Sequence, residues 1–114
     1  MLKGLGNLGD MAKMMRAAQE MQGKMAEVQE GLDRINVEGG AGAGLVKVVA
    51  SAKGELRSLS IDPSIFREED REMVEDLILA AVRDAQAKAG ERMAEEMRRA
   101  TADLGLPPGL NLPF

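Results

Sequence analysis

The hydrophobic positions between Met11 and Ile35 fall at Met11, Met14, Ala18, Met21, Met25, Val28, Leu32 and Ile35, stepping by three or four residues. On a helix of 3.6 residues per turn this spacing keeps one narrow apolar stripe aligned, and it predicts a helix that needs a partner along its seam. Asp10 stands where an N-cap would end the Gly-rich stretch "MLKGLGNLGD", so residues 1–10 are expected to form a flexible N-terminus. Thioethers adapt to many shapes, which suits a promiscuous binding surface, but an ordinary buried helix face accounts for the same Met spacing.

Past Ile35 the period changes. "NVEGGAGAG" is expected to begin as a short edge strand around Ile35 to Glu38 and to continue as a Gly-rich connection. "GLVKVVASAKGELRSLSID" then alternates as a hairpin. Val46, Val48, Ala50 and Ala52 share one face of its first strand, while Leu45 and Val49 lie on the other beside Lys47 and Ser51. "AKGE" supplies the turn, and Leu59 and Ile61 are the apolar positions near the end of the second strand. A lone hairpin of this size is marginal in water, and both faces of this one call for cover.

Asp62 before Pro63 pairs an N-capping side chain with a residue whose φ suits a first helical turn, predicting a short turn through Phe66. A second long helix is expected from near Glu69 to about Asp103, acidic at its start and basic at its end, as the helix dipole favours. Its first half is broadly apolar around Val74, Leu77, Ile78, Ala81, Val82 and Ala85. Its second half keeps only the thin stripe Ala89, Met93, Met97 and Ala100 and is expected to project from the body. "GLPPGLNLPF" stops the helix at Gly105 and leaves residues 105–114 as an extended Pro-rich tail, either docked as a strap or offered as a peptide ligand.

Composition narrows the chemistry. The 114 residues fit one domain, but with nine Met, two Phe and neither Trp nor Tyr there are few large rigid anchors for a self-sufficient monomeric core. Without Cys the chain has no disulfide, thiol nucleophile or zinc-thiolate site, and without His it lacks the usual general base and the commonest metal ligand. Ser51, Ser58, Ser60 and Ser64 therefore have no imidazole to activate them, and the carboxylates of Glu68, Glu69, Asp70 and Glu72 are explained by a helix's first turn. Gly39, Gly40, Gly42 and Gly44 lead into a strand, where a phosphate loop needs a helix N-terminus. The expectation is a non-enzyme with no cofactor, metal or small-molecule substrate. The apolar runs Leu45 to Ala50 and Leu77 to Val82 are too short to cross a bilayer, so a cytosolic protein without membrane association is expected.

The order of long helix, Gly-rich link, "GAGLVKV", "IDPSIF", the acidic-start helix "REEDREMVEDLILAAVRDA" and the closing "LPPGLNLPF" resembles the YbaB/EbfC family of bacterial nucleoid-associated proteins over nearly the whole chain. The resemblance implies an α+β fold in the order α-β-β-β-α: a small three-stranded antiparallel sheet flanked by two long helices, dimerising through the sheets with the helices held out as arms. It also implies binding to double-stranded DNA with little sequence specificity, in the cytoplasm at the nucleoid. A second copy is then expected to cover the hairpin through Leu45, Val46, Val48, Val49, Leu59 and Ile61, with association beyond the dimer left open.

A formal net charge of −4 gives no overall attraction to a polyanion, so DNA contact has to come from local basic patches. On the first helix Lys13 and Lys24 lie within about 20° of each other, with Arg16 nearby and Lys3 upstream, although Glu20 and Glu27 interrupt the stripe. On the second, Lys88, Arg92 and Arg99 follow one face, with Arg98 adjacent and Glu95 between them. These eight residues are the candidate phosphate contacts. The competing reading is a solvated surface laced with the pairs Arg16 with Glu20, Glu20 with Lys24 and Arg92 with Glu96. A different function, a protein-interaction module using the Met-rich seam or the tail and meeting DNA indirectly, fits the acidic balance.

Overall fold

A computed structural model describes the backbone of residues 2–103 and the side chains of residues 8–103. Helix α1 (Leu2–Arg34) leads into strands β1 (Asn36–Ala41), β2 (Val46–Ser51) and β3 (Leu56–Ile61); two short 3-10 turns (Pro63–Ile65 and Glu68–Asp70) precede helix α2 (Arg71–Asp103). The strands form one antiparallel sheet in the order β1-β2-β3, so β1 and β3 are its edges. The expected α+β order is therefore the observed one.

The core lies between the sheet and the first half of α2. Val46, Val48 and Ala50 from β2, Ala81 and Ala85 from α2, and Ile65 from the first 3-10 turn are buried together, with Val74, Leu77, Ile78 and Val82 packed against them. Small residues on the buried face of α2 let its backbone settle close to the strands. β1 approaches so closely that a Cβ at Gly39 would stand 2.6 Å from the Ala85 Cα. No side chain fits there, and this tertiary demand explains why β1 runs on through Gly39 and Gly40 to Ala41, where the sequence suggested a strand ending at Glu38. The β1–β2 turn then uses positive φ at Gly42, Ala43 and Gly44.

The β2–β3 turn falls where "AKGE" placed it, with Gly54 at φ 89°. The buried Ser51 hydroxyl accepts the N–H groups of Lys53 and Glu55, each at 3.3 Å, and so satisfies the turn from inside. Asp62 caps the first 3-10 turn by accepting the Ser64 N–H at 2.8 Å.

One expectation about the helices changes. Asp10 is not an N-cap, because α1 already runs from Leu2 and Asp10 lies within it. The region read as a flexible lead-in contains helical backbone; Leu2, Leu5 and Leu8 recur every third residue, a spacing compatible with helix despite the glycines. The second half of α2 runs on past the sheet, as expected, but not alone: it packs along α1, with Ala89 and Ala100 buried and Leu32 of α1 buried opposite. It is the N-terminal half of α1 that lacks cover. Every side chain from Leu8 to Glu20 is exposed, whereas Met21, Met25 and Val28 are half-buried, so the seam is a buried face only over its second half. The tail at 105–114 lies outside the described residues.

Candidate nucleic-acid interface

The eight candidate cations divide by helix. On α2, Lys88 Nζ lies 3.1 Å from Asp84, Arg92 Nε 3.0 Å from Glu96, and Arg99 2.9 Å from Glu95 and 3.4 Å from Glu96. The reading of a surface laced with ion pairs holds here, and the Arg92–Glu96 pair is the one the spacing suggested. Arg98 is exposed beside them with no carboxylate at ion-pair distance among the described residues.

On α1 the outcome is the reverse. Lys13, Arg16 and Lys24 are exposed and, among the described residues, none has a carboxylate at ion-pair distance; the Arg16–Glu20 and Glu20–Lys24 pairs do not form. From Lys13 to Lys24 is about 17 Å of helix, and the three side chains centre on the side roughly opposite Met11, Met14 and Ala18. The Lys3 side chain lies outside the described residues, although its backbone is part of α1. Over residues 1–24, Lys3, Lys13, Arg16 and Lys24 against Asp10 and Glu20 give a balance of +2, opposite in sign to the whole chain.

Further acids and bases are engaged near the sheet. Arg57 on β3 pairs with Asp33 at 2.9 Å and also donates to the Asp33 carbonyl oxygen at 2.7 Å, tying the end of α1 to the sheet. Asp84 accepts the Gly40 N–H at 3.0 Å, and that bond, reinforced by Lys88, holds its carboxyl below its ordinary value. The Ser64 contacts lower Asp62 in the same way. Arg83, which the sequence reading passed over, is a further exposed cation on α2. Its signal was only charge, shared with every surface Arg.

The six residues expected at a dimer interface also separate. Val46 and Val48 are fully buried beneath α2 of their own chain, so α2 supplies the cover that a second copy was expected to give. Leu45, Val49 and Ile61 are half-buried, and Leu59 is 51% exposed. Leu59 pairs with Val48 and so faces the α2 side of the sheet. Because α2 lies over β1 and β2, a groove of about 300 Å³ opens between β3 and the helix, lined by Val48, Leu56, Leu59, Ile78 and Val82. Leu56 and Leu79 are also exposed apolar residues; strict alternation sets Leu56 on the face opposite Leu59, but the register shift between Val49 and Ala50 pairs it with Ala50 on the same face as Leu59.

No group of three or more Asp, Glu, His or Cys among the described residues is placed to hold a metal ion. No described helix is long and apolar enough to cross a membrane.

The chain matches a model of the YbaB/EbfC DNA-binding family over residues 7–104. It is 49% identical over 105 residues to a nucleoid-associated protein of Agrobacterium fabrum, covering 92% of this chain and 98% of that one. A nucleoid-associated protein of Rhodopseudomonas palustris is 50% identical over 105 residues, covering 92% and 99%. Among solved structures, an uncharacterized protein of Helicobacter pylori shares the fold with a TM-score of 0.68 at 22% identity, over 77% of this chain and 92% of that chain.

Proposed function

From the premise that the chain belongs to the YbaB/EbfC DNA-binding family, we propose that it binds double-stranded DNA as a homodimer, without sequence readout, chiefly through Lys13, Arg16 and Lys24 on α1. The observation that carries this reading is the contrast between the helices: the α1 cations have no described carboxylate partner, whereas Lys88, Arg92 and Arg99 are already paired. A phosphate meeting Arg99 has to compete with Glu95 and Glu96, but one meeting Lys13 displaces only water and counterions. Lys3, on grounds of charge, and Arg98, on grounds of charge and exposure, are secondary contacts.

Lys and Arg supply phosphate contacts, which position a protein on a duplex without reading bases. Specificity is accordingly slight, and dimers repeated along a duplex would compact or shield it at the nucleoid, the association named for the relatives. The dimer forms over β3. Asp84 occupies the Gly40 N–H on the β1 edge, whereas β3 presents an edge beside the apolar groove of Leu56, Leu59, Ile78 and Val82. A second copy seated there buries these side chains and orients two α1 arms.

A mobility-shift titration with two duplexes of unrelated sequence, each at two salt concentrations, tests the function. Similar affinity for both, falling steeply with salt, is the expected result. No shift at micromolar dimer in low salt, or strong preference for one duplex, would contradict it.

A further inference from the structure

The uncovered part of the α1 seam begins where α2 ends. Glu96 sits with Val28, Gly31 and Leu32 around one groove between the helices. The two run antiparallel, so the remaining residues of α2, rising about 10 Å to Asp103, bring its end level with about Met21. The burial pattern agrees: Met21 is half-buried, and every described side chain before it is exposed. Beyond that point Leu8, Met11, Met14 and Met15 are 64%, 59%, 71% and 65% exposed. They continue the stripe that α2 covers further along.

We propose that residues 104–114 turn back at the end of α2 and lie along this half of α1, over Met11, Met14 and Met15. The segment "LGLPPGLNLPF" carries no charged side chain and offers Leu104, Leu106, Leu110, Leu112 and Phe114, so its side chains can be covered without desolvating a charge. Its length suits the task. Eleven residues in a polyproline-like course reach about 34 Å, and the stripe from Met21 to Leu8 spans about 20 Å. The competing apolar groove beside Phe66, Val74 and Ile65 lies too far away, since Asp103 to Val74 is about 43 Å of helix. Tethering at Asp103 gives the segment a high effective concentration at α1, which favours docking within one chain over capture by another. The occupied stripe lies opposite Lys13 and Arg16, so a docked tail steadies the helix while leaving those cations accessible to phosphate. The docking itself does not depend on DNA binding.

Phe114→Trp introduces the only Trp in the chain and reports on the tail. The expected result is emission blue-shifted relative to a Trp in water, unchanged on dilution, and moved to the red by Met11→Glu with Met14→Glu. Those two positions are exposed, so circular dichroism should confirm that the fold survives the substitutions. A second readout uses peroxide: Met11 and Met14 should oxidise several-fold faster once residues 104–114 are deleted. Emission typical of exposed Trp, a blue shift indifferent to the Met changes, a blue shift lost on dilution, or equal oxidation rates would each overturn docking on α1 of the same chain.

Discussion

Gly39 of β1 and Ala85 of α2 meet backbone against backbone: the Cβ that any other residue would place at Gly39 falls 2.6 Å from the Ala85 Cα and 2.7 Å from its Cβ. This contact seats α2 on the sheet and so fixes the direction in which its second half runs along α1. Gly39→Ala should therefore destabilise the fold by about 1–3 kcal/mol or more, the usual effect of overpacking a well-filled site. Because the obstruction includes the Ala85 backbone, adding Ala85→Gly should restore little. Chemical denaturation of the single and double variants checks this; full rescue by Ala85→Gly would contradict it.

A second tie between the same elements depends on pH. Asp84 accepts the Gly40 N–H and an ion pair from Lys88, and its carboxyl is lowered, first by the backbone bond. A carboxyl depressed in the folded state contributes stability that is complete above its unfolded value and is lost as pH falls through the depressed folded value. Asp84→Asn should consequently lower stability at neutral pH and flatten the acid limb of the stability curve. Denaturation at neutral and acidic pH measures both. DNA affinity, which does not involve Asp84, should change little.

The β3 edge carries the dimer prediction. Leu59 is half exposed within one chain, so Leu59→Glu leaves the core intact while placing a charge in the proposed seam. Sedimentation should show a dimer for the parent protein and a folded monomer for the variant. A variant that remains dimeric would move the interface elsewhere.

The hairpin and the core face of α2 were legible in the sequence because the information is local: Val46, Val48 and Ala50 alternate, and Ala81 and Ala85 recur at helical spacing. Other features depend on distant parts of the chain. The continuation of β1 through Gly39 is set by α2, forty-odd residues later, and the Gly40–Asp84 bond joins a backbone N–H to a side chain that no local pattern connects. The Met seam was correctly periodic, but periodicity does not say where its partner stops, and α2 ends with half of the seam exposed. For the basic residues, spacing marked Arg92–Glu96 and Arg16–Glu20 alike, and only the first pair forms. Val46 and Val48 looked like interface because a hairpin needs cover, and the cover proved to be α2.

The central claim is that the α1 cations, which have no carboxylate partner among the described residues, carry the DNA contact and the paired ones of α2 do not. The salt dependence of affinity tests it most directly, because each phosphate neutralised contributes about −0.9 to the log–log slope. Lys13→Gln, Arg16→Gln and Lys24→Gln together should flatten that slope by several units per dimer and weaken binding to every duplex alike. Glu95→Gln with Arg99→Gln, which removes an ion pair without changing net charge, should leave the slope where it was. A slope indifferent to the α1 changes and flattened by the α2 pair would contradict the assignment.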